Sequence, residues 1–338
     1  MRLPILATAA LTALLGLAPA VSAPAPGALK VIDRIDGPDG GWDYASFDAA
    51  RRRVYISHGT VVLSLDVDTL KLNPAFSQGA RLHSIVPVPG ADMLVTTNSG
   101  DSTVKIIKAS DGSLIKSLSV AADADGAGYD PVTRTVVVIN GDAGILTLID
   151  PFKQTVVGTI DVGGHLEFGA PDGKGRFYVN VASDGEVAAV DLVHRKTLAK
   201  YKMDGCTRPT GLAYVEGDRV VASCGSGVAK ILAAHTGKEL ASFKIGGFSD
   251  AVFYDPVRHL AFVPTARDGQ LTVIALSGKA NNTVVATVPT QVGARLGAVD
   301  PKTGEVFLPT AQYNIPATLA QRPTMKPGTF QILVLGRE

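Results

Sequence analysis

The stretch LVTTNSGDSTVKIIKASDGSLIKSLSV, residues 94–120, decides the fold because it is one copy of a module that recurs along the chain. It contains three short runs of β-branched and apolar residues, separated by turn residues such as Gly, Asp and Ser. That pattern is typical of consecutive antiparallel strands. Similar stretches occur at 54–71, 136–162 and 177–203. Self-similarity of this kind predicts a repeat architecture.

The spacing of the copies identifies the kind of repeat. Each copy opens with a short motif in which one polar or charged residue is followed by small or apolar residues. These openings recur every 40 to 45 residues, and they begin at Asp43, His83, Asp125, Glu167, Thr210, Asp250 and Arg295. Seven copies at about 40–45 residues match the four-stranded blade of a β-propeller. No long stretch holds a 3.6-residue apolar period, so the chain is predicted to be all-β.

The two ends of the repeat array predict how the ring closes. The last copy supplies only three strands, whereas ALKVIDRI at 28–35 precedes the first blade without a partner of its own. We therefore expect the N-terminal strand to complete the last blade, which leaves no open sheet edge between first and last blades. The prediction is one seven-bladed propeller domain over residues 28–338.

A family resemblance supports this architecture. Residues 94–118 resemble the YVTN-type repeat of the YncE-like propellers, which are secreted bacterial proteins with seven blades. Residues 261–278 and 326–336 are similar to that family as well, whereas the Gly-His and Trp-Asp marks of WD40 blades are missing. The resemblance implies a secreted seven-bladed propeller. It also favours a binding or scaffold role, since no catalytic motif defines that family.

The N-terminal residues predict export. Arg2 precedes an apolar stretch over 3–17, and small residues follow it. This is the pattern of a signal peptide, here over residues 1–23 with cleavage near 20–23, and its apolar run is short for a membrane span. A retained anchor is the alternative. The mature protein is predicted to be periplasmic, with no membrane span.

Composition and motif searches limit the function. The formal net charge is +1, which argues against a broad nucleic-acid surface. The sequence lacks a nucleophile elbow, a zinc-protease helix motif, a P-loop and a dinucleotide fingerprint, so no catalytic residue is predicted. We expect a monomer whose partner is a small ligand or a periplasmic protein, and the identity of any cofactor stays open.

The two cysteines, Cys206 and Cys224, fall in one predicted blade. An even pair in an oxidising compartment is predicted to form a disulfide, with two free thiols as the alternative.

The candidate site follows from propeller geometry. The starts of the innermost strands converge around one mouth of the central channel, where closed β-structures tend to bind ligands. The predicted ligand-binding residues lie there, one per blade plus one loop histidine: Asp43, His83, Asp125, His165, Glu167, Thr210, Asp250 and Arg295. The alternative is a purely structural ring, in which the acids pair with Arg81, Arg208 and Arg295.

Metal binding is a further possibility for the same ring, because carboxylates and a histidine are common metal ligands. His83, His165 and Glu167 form the best metal-ligand set in the sequence, and calcium on Asp43, Asp125 and Glu167 is no better supported. Two blades separate His83 from Glu167, so no metal site is predicted. A secreted metal-dependent hydrolase or lactonase that uses ring carboxylates is the alternative function.

Two further features are expected beside the mouth. The insertion 311–329 lies in the last blade and is expected over this face without structure of its own. It either brings Tyr313, Arg322 and Met325 near a ligand or serves as a packing loop that covers blade 7. Trp42, the only tryptophan, is expected either to stack on a ligand or to fill the rim.

Overall fold

The computed structural model describes residues 27–278, 281–314 and 323–337. All but two of the 30 strands in these residues form seven four-stranded antiparallel sheets. The described residues contain no helix long and apolar enough to cross a membrane. The predicted signal peptide lies outside the described residues.

Four blades follow the first strand, β1 (Lys30–Asp36), in simple chain order. Blade 1 holds β2–β5, which span Trp42–Asp48, Arg53–His58, Val61–Asp66 and Leu72–Gln78. Blade 2 holds β6–β9, which span Leu82–Pro87, Leu94–Asn98, Thr103–Ile107 and Leu114–Ser119. Blade 3 holds β10–β13, which span Ala124–Asp130, Thr135–Asn140, Ile145–Asp150 and Thr155–Asp161. Blade 4 holds β14–β17, which span Leu166–Pro171, Arg176–Val181, Glu186–Asp191 and Lys196–Lys202.

The remaining blades complete the ring. Blade 5 holds β18–β21, which span Pro209–Val215, Arg219–Cys224, Val228–Ala233 and Glu239–Lys244. Blade 6 holds β22–β25, which span Phe253–Asp255, Leu260–Thr265, Gln270–Ser277 and Asn281–Pro289. Blade 7 holds β26 (Ala298–Val299), β27 (Val306–Thr310) and β30 (Gln331–Gly336), and its fourth strand is β1. Innermost strands of neighbouring blades contact each other around the whole circle.

Ring closure occurs as the sequence predicts. Strand β1 pairs antiparallel with β30, from Lys30 opposite Gly336 to Asp36 opposite Gln331. Because the first and last segments share one sheet, the blade-to-blade packing continues through the chain ends.

The core lies between neighbouring blades. Strands β11 and β15 are buried along their length, apart from Arg176, and valines of both strands pack in one cluster. Outer strands such as β17 alternate between exposed and half-buried residues, as expected for an edge strand. Each fully buried Val or Ile side chain contributes about 1.5–3 kcal/mol. A single blade could not bury both faces, which explains the repetition.

A β-bulge recurs at the start of the innermost strand in blades 1 to 5. In blade 1, Trp42 pairs with His58 and Ala45 with Ile56, so Asp43 and Tyr44 together stand opposite the single residue Ser57. The same register shift occurs in β6, β10, β14 and β18. Bulges re-aim side chains. In these five blades the first bulged residue is the predicted ring residue.

The blade 7 insertion differs from the prediction. Its described residues include a two-stranded antiparallel sheet of β28 (Tyr313–Asn314) and β29 (Thr324–Met325), so the prediction that the insertion lacks structure is wrong. The Tyr313 ring of β28 lies beside Trp42, with ring centroids 6.4 Å apart. Trp42 is only 5% exposed and also packs on Phe330, so it fills the rim. Arg322 lies outside the described residues.

Candidate functional site

A cavity of about 380 Å³ opens at the mouth of the central channel, and we call it the cup. Six of the eight predicted ligand-binding residues line it: Asp43, His83, Asp125, Glu167, Thr210 and Asp250. Its size falls in the range of small-molecule sites. These side chains come from six different blades, and in blades 1 to 5 the side chain belongs to the first residue of the bulge.

The two other predicted residues support the cup from outside. Arg295 donates from Nε to Asp250 Oδ2 at 2.6 Å and from a terminal nitrogen to the Trp42 carbonyl at 2.6 Å. His165 lies with Nδ1 3.2 Å from Asp142 Oδ1 and Nε2 3.5 Å from Glu167 Oε1. Neither residue lines the cavity, so both act on the cup through a carboxylate that does.

Tyr44 forms the floor of the cup, a feature that sequence reasoning missed. Its ring meets Phe168 of blade 4 with centroids 4.4 Å apart. Both residues occupy the second bulge position, next to a ring residue. Blade 3 has Gly126 there, and a Cβ atom on it would lie 3.0 Å from the Phe168 ring. The small residue therefore leaves room for the aromatic pair that backs the floor.

His83 lies between two carboxylates. Its Nδ1 is 2.6 Å from Asp43 Oδ2 and 3.3 Å from Asp125 Oδ1, and its Nε2 is 2.8 Å from Ser99 Oγ. The Ser99 hydroxyl donates to the Arg81 carbonyl at 3.4 Å, so it accepts from Nε2–H. Nδ1 must also carry a proton to bond a carboxylate at 2.6 Å. The contacts therefore favour an imidazolium.

The pKa shifts agree with this geometry. Burial lowers the pKa of His83, but the Asp43 hydrogen bond and the Asp125 and Asp43 charges outweigh burial, so the net shift is upward. One imidazolium serves two carboxylates. Burial, with repulsion from Asp43, raises the pKa of Asp125 to about 8, although His83 opposes the shift. Its Oδ1 is buried and accepts no hydrogen bond from the described residues.

The other acids of the cup also resist ionisation. Burial raises the pKa of Glu167, against the opposing effect of His165. Burial likewise raises the pKa of Asp250, although the Arg295 charge opposes it. Burial and four surrounding carboxylates hold the pKa of Tyr44 well above its usual range, so its phenol keeps its proton. A positive group entering the cup would relieve these costs.

The predicted disulfide is confirmed and borders the cup. Cys206 and Cys224 are bonded across an 18-residue separation, with Cα atoms 5.3 Å apart. Thr207 and Arg208 are the two residues after Cys206, Gly225 follows Cys224, and all three line the cavity. The crosslink therefore fixes the loop that carries Arg208.

The predicted acid–arginine ring forms only in part. Arg295 pairs with Asp250, but Arg81 and Arg208 make no ion pair with any described residue. Arg267, which sequence reasoning did not single out, also lines the cup without an ion pair to a described residue. Its position in the sequence could have indicated this, because Arg267 lies in the loop between the second and third strands of blade 6, and such loops lie on the same face as the mouth of the channel.

The metal-ligand grouping also differs from the expected one. Asp43, His83 and Asp125 each offer a ligand atom, and these atoms lie within 4.8 Å of one another. Among the described residues, His165 and Glu167 belong to no such group of three. His83 pairs with carboxylates of the neighbouring blades because adjacent ring positions are close, whereas Glu167 is two blades away.

Comparisons with known proteins establish the fold class. No protein-family model matches the chain, and no curated protein matches it. The chain is similar to a chain of the mitotic checkpoint complex, with 12% identity, a TM-score of 0.73 and coverage of 98% of this chain and 99% of the other. It is similar to the RRP9 WD40 repeats, with 10% identity, a TM-score of 0.75 and coverage of 92% and 99%.

A third similar structure is a chain of Kuenenia stuttgartiensis hydrazine synthase. It shares 14% identity at a TM-score of 0.70, with coverage of 92% of this chain and 99% of the other. Identities this low show the fold alone. The protein is a seven-bladed β-propeller.

Proposed function

We propose that this protein is a periplasmic binding protein of the YncE-like kind, whose cup holds a small ligand that carries a positively charged group. The observation that carries the proposal is the cup itself, which the half-buried Asp125 and Glu167 line together with Tyr44. Buried carboxyl groups without a full set of partners are costly, and a cationic ligand would compensate them.

Export is part of the same proposal. The N-terminal pattern of residues 1–23 supports it, and so does the Cys206–Cys224 disulfide, since disulfides persist mainly in oxidising compartments. The predicted ring residues Asp43, His83, Thr210 and Asp250 are proposed to line the binding site together with Asp125 and Glu167.

Native mass spectrometry on protein purified from the periplasm of the cell that makes it tests the proposal. The wild-type chain should carry a small noncovalent adduct, and the Asp125→Asn/Glu167→Gln double variant should lose it. Asp204→Asn is the matched control, because Asp204 is an exposed acid of a blade-to-blade loop on the same face. A bare wild-type polypeptide, or an adduct that the double variant keeps, would contradict the proposal.

A metal-dependent hydrolase is the second candidate, and the grouping of Asp43, His83 and Asp125 favours it. These residues offer two carboxylates and an imidazole, a donor set suited to a divalent metal. Metal binding would require His83 to lose the Nδ1 proton that now bonds Asp43.

Elemental analysis of the same protein, before and after dialysis against EDTA, distinguishes the two candidates. About one equivalent of a transition metal, lost on Asp43→Asn substitution, would favour the hydrolase. An organic adduct that survives EDTA would favour the binding protein.

A further inference from the structure

The rim of the cup carries charge opposite to that of its interior. Arg208 and Arg267 both line the cavity, are exposed, and make no ion pair with any described residue. The cationic Arg208 nevertheless lies near the acids, because its charge contributes to lowering the pKa of Glu167 and Asp250. Two guanidinium groups are therefore available at the opening.

The backbone fixes the position of both arginines. Arg208 follows disulfide-bonded Cys206, and its carbonyl accepts from Gly225 N at 3.0 Å. Arg267 N donates to the Gly247 carbonyl at 3.1 Å, which ties its loop to the neighbouring one. A Cβ atom on Gly247 would lie 3.2 Å from Arg267 Cδ, so the glycine lets the arginine stem lie across that loop. The guanidinium groups are thus carried by anchored loops.

The negative charge inside the cup is only partly balanced. Asp250 has Arg295 at 2.6 Å, and Asp43 has His83 at 2.6 Å. Asp125 shares that same imidazolium at the longer distance of 3.3 Å. Among the described residues, Glu167 has His165 as its one ion-pair partner, at 3.5 Å. The unbalanced carboxyl groups are therefore Asp125 and Glu167.

We propose that the ligand of the cup is a small zwitterion, with its ammonium group at Asp125 and Glu167 and its carboxylate at Arg208 and Arg267. This inference rests on the proposed binding function and names the class of its ligand. Guanidinium groups bind carboxylates through paired hydrogen bonds, and carboxylates accept from ammonium groups. A ligand with one charge would leave the opposite set without a partner.

A matched set of probes tests the inference by isothermal titration calorimetry on the mature protein. The zwitterions are β-alanine, γ-aminobutyrate and ε-aminocaproate, which differ in the distance between their charges. Hexylamine and hexanoate are the single-charge controls for ε-aminocaproate. At least one zwitterion should bind roughly tenfold or more tightly than either control, since each charged hydrogen bond typically contributes that much.

Two variants assign the charges. Arg208→Gln/Arg267→Gln should weaken binding of that zwitterion by roughly tenfold and should not weaken hexylamine binding, because the variant removes positive charge near the acids. Arg134→Gln is the matched control, because Arg134 is also a turn arginine with positive φ but lies in a first-to-second strand turn on the opposite face. An unchanged urea midpoint would confirm that each variant is folded.

The outcomes separate the two proposals. Equal affinity for hexylamine and the zwitterions, insensitive to the arginine variant, overturns the zwitterion inference and leaves a cationic ligand in the cup. Binding of hexanoate alone, or of no probe, contradicts both.

Discussion

Replacing Asp125 with Asn should flatten the dependence of stability on pH. Burial and the charge of Asp43 raise the Asp125 pKa to about 8, although the His83 charge opposes them; Glu167 and Asp123 also face this carboxyl group. In the unfolded chain an aspartate has a pKa of about 3.9. Between these values the folded protein holds a proton that the unfolded chain has lost, so the free energy of unfolding falls as pH rises.

The size of the effect follows from this difference. Each pH unit in that window lowers the free energy of unfolding by about 1.4 kcal/mol. From pH 6 to pH 8, Asp125 alone should therefore account for about 2.3 kcal/mol, because the slope flattens as the carboxyl group becomes half ionised near pH 8. The pKa of His83 is also raised, so the loss of its folded-state proton adds to the fall with the same sign. Asp125→Asn removes the pH dependence that comes from Asp125. It also reduces the pH dependence that comes from His83, because His83 loses one of its two neighbouring carboxylates.

The pH dependence of the free energy of unfolding can be measured by urea unfolding at pH 6, 7 and 8, monitored by the fluorescence of Trp42. Trp42 is the only tryptophan and is 5% exposed, so unfolding should change its emission. Asp204→Asn serves as control and should keep the wild-type slope. If the Asp125→Asn variant loses stability with pH in parallel with the wild type, the assignment of a buried protonated carboxyl group is refuted.

Three further predictions concern the framework of the cup. Replacing both Cys206 and Cys224 with Ser should lower the free energy of unfolding by about 3 kcal/mol, measured in urea, because an 18-residue loop is no longer closed in the unfolded chain. Tyr44→Ala should cost about 3–5 kcal/mol and open the floor, whereas a milder Tyr44→Phe change should retain the contact with Phe168. Equal melting temperatures for the Tyr44→Ala and Tyr44→Phe variants would contradict the assignment of Tyr44 to the floor of the cup. Deleting residues 28–36 should expose the edge of β30 and cause aggregation in size-exclusion chromatography, so a monodisperse truncated protein would show that closure by β1 is dispensable.

The sequence predicts the framework well because its signals are local and repeated. The 40- to 45-residue interval is set by four strands and their turns, so seven openings indicate seven blades. The three-strand last copy and the unpaired segment 28–35 predict the closure that the β1–β30 pairing confirms. The Cys206–Cys224 bond follows because both residues lie at one end of adjacent strands in one blade.

Features that depend on contacts across the channel could not be predicted. The Tyr44–Phe168 contact joins residues three blades apart, and nothing local to either residue indicates it. Which arginines lack an ion-pair partner among the described residues also depends on three-dimensional position. Arg295 contacts both Asp250 and the Trp42 carbonyl, whereas Arg208 lies within ion-pair distance of neither Glu167 nor Asp250. The ring residues were predictable as a set, but their division into paired and unpaired charges was not.

The most direct test of the central claim is a crystal structure of the protein purified with its natural ligand retained. We predict difference density inside the cup, above Tyr44, with a donor group within hydrogen-bonding distance of Asp125 or Glu167. A cup that holds only ordered water, with the copurified molecule bound elsewhere on the propeller, would contradict the account.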